Sequence, residues 1–108
     1  MKLPPFPNKL HLPTGTYDII YKDLTQEAAE GKDNYLYGLT LHEKAIIFIN
    51  TTIESQISLK QTVMHEIIHA FEEHYGMKFT ENECDALANA FIYFLQNNDT
   101  IIKQLRVK

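Results

Sequence analysis

From Thr62 to Tyr75, apolar side chains return at Val63, Met64, Ile67, Ile68, Phe71 and Tyr75, spacings of three and four that draw a broad stripe along one side of a helix. Ser58 followed by Gln61 reads as a capping box, so the helix is predicted to begin near Leu59 and to end by Gly76, a natural residue for a left-handed C-terminal cap. Thr80 and Glu83 form a second box. It opens a helix from Glu81 to about Gln96, with Cys84, Leu87, Ala88, Phe91, Phe94 and Leu95 inward, and Asn97-Asn98-Asp99 breaks it. Thr100 to Lys108 is predicted to form a short last helix with Ile101, Ile102 and Leu105 inward.

Before the helices the period changes from about 3.6 to 2. Gly15 to Asp23 puts Tyr17, Ile19 and Tyr21 on one face and reads as a strand; Leu24 to Lys32 has room for one helical turn. Tyr35 to His42 alternates through Tyr35, Tyr37, Leu39 and Leu41, and after His42-Glu43-Lys44 the β-branched run Ala45 to Ile49, continuing to Thr52, completes a hairpin signal. Residues 1–14 hold all four prolines and are predicted to be an extended arm. The expected fold is α+β: a three-stranded antiparallel or mixed sheet packed against two helices, in one domain spanning 1–108.

Composition narrows the function classes. A chain of 108 residues, 44% hydrophobic, supports one core. The net charge of −4, with ten scattered Lys and Arg, offers no basic stripe for phosphates, so no direct nucleic-acid binding is expected. No apolar run approaches the ~20 residues of a membrane span, the Met1 to Pro7 start lacks the apolar core of a signal peptide, and the single Cys84 suits a reducing compartment. A cytoplasmic protein with no membrane partner is expected; the sequence carries no signal of oligomeric state.

Candidate chemistry lies on the first long helix. His65-Glu66-Ile67-Ile68-His69 spells HExxH. Positions i and i+4 differ by roughly 40° around a helix and ~6 Å along it, so both imidazoles can bind one ion, and the intervening Glu66 can take a proton from an attacking water. All three residues fall off the apolar stripe, beside Thr62, Glu72 and Glu73, where a site open to water is expected. A zinc hydrolase needs a third protein ligand. Asp85 on the second helix is the expected one and Glu81 the alternative; Asn89, four residues beyond Asp85, is then placed to orient a histidine from behind, as Asp85 is if Glu81 binds. The plainer reading makes these acids favourable charges at a helix N-terminus. His74 points roughly 140° away from His69, Cys84 reads as a small buried hydrophobe, and His42, near the hairpin end, is either an exposed turn residue or a donor to a developing oxyanion.

Three stretches appear in a recognisable order: Ala45 to Asn50, MHEIIHAFEEHYG at 64–76, and Glu83 to Phe91 with its Ala-Asn-Ala-Phe ending. Over roughly residues 15–98 the chain resembles the ImmA/IrrE metallopeptidases, most of all the short versions of phages and mobile elements. The resemblance implies a cytosolic zinc peptidase with His65 and His69 as ligands and Glu66 as base. It places Asp85 where the family usually supplies Glu, one methylene longer, so either the helices sit closer or Glu81 reaches in instead. In family members with known roles the substrate is a transcriptional repressor. The competing expectation is a non-catalytic module, zinc-binding or metal-free, that grips a protein through the same scaffold.

Overall fold

Alternation along Gly15–Lys22 decides how the sheet is built: Tyr17 and Ile19 are buried, while Asp18 and Ile20 face outward. In the computed structural model, which describes residues 8–30 and 36–108, this strand is β2. It pairs antiparallel with β1 (Lys9–Leu12), and through its other edge runs parallel to β4 (Ile46–Asn50). The short helix α1 (Thr25–Glu30) and strand β3 (Gly38–Leu41) fill the crossover, and β3 pairs antiparallel with β4, giving the order β1-β2-β4-β3.

The α+β class holds, but the sheet is four-stranded and mixed where three strands are expected from the sequence. The extra strand comes from the proline arm. Lys9-Leu10-His11-Leu12 lies within the five residues between Pro7 and Pro13, and Leu10 lands opposite Tyr17 on the core face. The rest of the arm, residues 1–7, and Tyr35 of the predicted third strand lie outside the described residues. Tyr37 precedes β3 in a bend, so the strand begins three residues later than expected. The predicted β4 extension to Thr52 stops at Asn50, whose Oδ1 accepts from the Thr52 N–H at 3.0 Å and its hydroxyl at 2.8 Å, turning the chain away.

Helix α2 (Gln56–Tyr75) crosses the face of the sheet that carries Tyr17, Ile19, Ile47 and Ile49, with Leu59 and Ala70 fully buried against it. It starts three residues before the sequence expectation. Ser55, not Ser58, is the cap, its Oγ accepting from the Ser58 N–H at 3.3 Å, and Gln61 is engaged elsewhere. Gly76 closes the helix at φ 66°, as its position predicts. Helix α3 (Glu81–Asn97) opens with the full Thr80–Glu83 capping box and packs on α2 through Ile68, Cys84 and Ala88. A last helix, α4 (Asp99–Leu105), follows directly. Seven residues are too few to fold back over the core, so of the three expected inward only Ile102 is half-buried, and Leu105 is 72% exposed. No helix among the described residues is long and apolar enough to cross a membrane.

Candidate metal centre and cleft

Because α2 lies between the sheet and α3, its polar side is roofed rather than open. Thr62 and Glu66, expected on a solvent face, are 8% and 6% exposed. Strand β3, α2 and the first turns of α3 enclose a cleft of ≈ 920 Å³ lined among others by Thr40, His42, His65, Glu66, His69 and Glu81.

One helical turn brings the Nε2 atoms of His65 and His69 to 3.0 Å. The Glu81 carboxylate, from the first turn of α3, meets both: Oε2 is 2.9 Å from His65 Nε2 and Oε1 is 3.3 Å from His69 Nε2. Donor atoms sharing one tetrahedral ion with bonds near 2.0–2.1 Å are separated by roughly 3.3 Å. The back of each ring is held by another carboxylate. His65 Nδ1–H donates to Asp85 Oδ1 at 2.7 Å, and His69 Nδ1–H to Glu72 Oε1 at 2.5 Å. With both ring protons turned outward, the two Nε2 lone pairs and the Glu81 carboxylate face one another with no proton among them. In that tautomer the two nitrogens and the carboxylate can hold a metal ion, and His65, His69 and Cys84 form a second group whose donor atoms lie close enough to share one.

Asp85, expected as third ligand, therefore stands behind His65, one turn further along α3 than Glu81 and with one methylene less reach. Asn89, expected behind a histidine, instead accepts from Gln61 Nε2 at 2.7 Å, a tie between α2 and α3 at one end of the cleft. Cys84 comes within 4.8 Å of both histidines in donor-atom separation, but on the Nδ1 side of His69. Burial, reinforced by the Glu72 and Glu81 charges, pushes its thiol up to about 12, so it remains a thiol that donates weakly to Glu72 at 3.7 Å. His74 turns away from the cleft to Thr14 and the Tyr17 ring, and His11 pairs with Thr16 at 3.2 Å.

Glu66 has a seat of its own. Thr40 Oγ1 donates to its Oε1 at 2.7 Å, and Gly38 lies directly beneath it: a Cβ there would fall 2.8 Å from Glu66 Cγ. Desolvation raises the Glu66 pKa above the usual carboxylate value, against the opposing pull of Thr40 and the two histidines. Such a group accepts a proton more readily than an exposed carboxylate does.

The chain matches no family model, no curated protein and no solved structure. Three contributors escape sequence reasoning: Gly38, Thr40 and Glu72. A glycine heading a β-rich run signals close approach of another group, and an acid three residues after a histidine on a helix signals a possible pair, so Gly38 and Glu72 left traces. Thr40 left none, since its partner is 26 residues away.

Proposed function

We propose that this protein is a zinc-dependent peptidase of the ImmA/IrrE kind, acting on a protein or peptide substrate. The reading rests chiefly on the convergence of His65 Nε2, His69 Nε2 and Glu81 within 3.3 Å, with a buried carboxylate, Glu66, beside them on the same helix. Two nitrogens and one carboxylate oxygen, leaving a fourth position to water, make a catalytic zinc set. A zinc ion held there supplies Lewis acidity, polarising a substrate carbonyl and bringing the pKa of a water to about 7. Asp85 and Glu72 fix the histidine rings. Glu66, steadied by Thr40 and seated over Gly38, takes the proton of the attacking water and returns it to the leaving amine.

An extended peptide suits the cleft. Residues 45–51 offer no free edge for it, because β4 lies between β2 and β3. Among the described residues β3 is one of the two outer strands and the one that lines the cleft, so a substrate adding a strand to it runs past Glu66. A cytosolic regulatory protein is the substrate that the ImmA/IrrE resemblance suggests.

Glu66→Gln tests the base. The variant is expected to bind one zinc per chain, measured by elemental mass spectrometry, while turnover falls by about 10²–10⁴. Cleavage at the wild-type rate by that variant would remove Glu66 from the mechanism. Stoichiometric zinc in a wild-type protein that cleaves nothing would instead support the binding module.

A further inference from the structure

Attack on a peptide carbonyl builds negative charge on its oxygen, and one aimed donor there changes rate by about 10²–10³. Two polar side chains around the cleft have their protons committed. Thr40 Oγ1 donates to Glu66 and Thr62 Oγ1 to the Ser58 carbonyl at 2.8 Å. His42 differs. It lines the cleft, its Nδ1 lies 3.0 Å from the Tyr17 hydroxyl, and its Nε2 has no hydrogen-bond partner among the described residues.

Tyr17 decides what that Nε2 carries. Its side chain is 2% exposed in the core, and among the described residues its hydroxyl has one hydrogen-bond partner, His42 Nδ1. Desolvation, then the charge of Glu73, raises the phenol pKa, so the proton stays on oxygen. A buried hydroxyl proton without an acceptor is costly, so Tyr17 donates to Nδ1, and the neutral imidazole then holds its own proton on Nε2. The backbone fixes the ring's origin. Leu41, still extended at φ −111° and ψ 97°, carries the chain from β3 into a one-turn 3-10 helix, His42–Lys44, so His42 sits roughly 6–7 Å beyond Thr40 at the end of the strand that seats Glu66. Ala45, in the left-handed region at φ 53°, closes the turn by donating to the His42 carbonyl at 3.1 Å.

We propose that His42 is a catalytic residue whose Nε2–H donates to the developing oxyanion of the scissile carbonyl, and that Tyr17 is the positioning residue that fixes its tautomer. This rests on the peptidase reading above. As the water oxygen bonds to the carbonyl carbon, its proton passes to Glu66 and the π pair moves onto the carbonyl oxygen. His42 donates a hydrogen bond to that oxygen and keeps its proton. When the pair returns, the C–N bond breaks and the Glu66 proton goes to the leaving amine.

The test uses the full chain loaded with zinc and a fluorescence-quenched peptide library, with Glu66→Gln as control. His42→Ala is expected to lose on the order of 10²–10³ in kcat with KM within about twofold and zinc content intact. His42→Gln, which keeps an N–H, recovers part of that loss, and Tyr17→Phe loses about tenfold in kcat, the range of one hydrogen bond. A readout independent of turnover is the imidazole tautomer by ¹⁵N NMR on the zinc-free protein: Nε2–H at His42 in the wild type and a mixture in Tyr17→Phe. Full kcat in His42→Ala beside an inactive Glu66→Gln overturns this proposal alone, as does a wild-type His42 protonated on Nδ1. A wild type that cleaves nothing in the library, or a Glu66→Gln that cleaves normally, overturns the peptidase reading and this proposal together.

Discussion

A methyl group on Gly38 would sit 2.8 Å from Cγ of Glu66, nearer than two carbons approach, and Cγ is close to the helix backbone rather than at a free tip. Gly38→Ala therefore forces either Glu66 or β3 to move. The cost in stability is about 1–3 kcal/mol, the usual range for overpacking. On the proposed mechanism the larger effect falls on activity, because a base displaced by an ångström no longer meets its proton. Expected in this variant are zinc content as in wild type, a modestly lower melting temperature, and kcat reduced on the order of 10²-fold; full turnover would show that Glu66 works from another position. Thr40 is part of the same seat, since it donates to a carboxylate that is 6% exposed.

Helix α2 is the element on which everything converges: one side packs on the sheet, the other on α3, and the HExxH turn lies between. An ion held by His65, His69 and Glu81 ties α2 to α3, so binding is coupled to folding. At a hundredfold excess over Kd, zinc is expected to add about 2.7 kcal/mol, a rise in melting temperature on the order of 10 °C. Glu81→Ala should abolish most of that rise, whereas Asp85→Asn, which leaves the ligand set intact, weakens zinc binding by about 10–100-fold; calorimetric titration separates the two, and the reverse order would make Asp85 the ligand. Much at this scale is legible in the chain itself. The Thr80–Glu83 box and Gly76 define where α3 starts and where α2 stops, because each depends on neighbours within a turn; the period of 3.6 marks the inward stripe less well, since Phe91 and Leu95 of α3 are 40% and 48% exposed. Strand β1 is less legible, since its four residues give only two alternations and its support comes from β2. The choice between Glu81 and Asp85 is not written locally at all: it depends on how far α3 slides along α2, which Ala88 and Cys84 set by letting the helices approach.

The whole molecule is less compact than its length allows. Its radius of gyration is 14.4 Å, against about 13 Å for a spherical domain of this size. The end of α3 and α4 carry exposed apolar residues, with Tyr93 at 69% and Leu105 at 72%. They contribute little to the core, so a chain ending at Asn98 is expected to keep zinc binding and to melt within a few degrees of the full protein; a collapse of the transition would assign α4 a structural part. The other end of the helix pair behaves differently. Glu72 holds His69 with Oε1 and accepts the Phe79 N–H with Oε2 at 2.9 Å, in the turn that joins α2 to α3. Its pKa is lowered overall: desolvation opposes the shift, but the Phe79, His69 and Cys84 hydrogen bonds outweigh it. That one carboxylate makes the turn a gauge of the centre. An ion bound at His69 is expected to stiffen His69 and, through it, Glu72, so the Phe79 amide should exchange its hydrogen more slowly in proportion to occupancy, giving a single backbone proton from which metal uptake can be read without any substrate.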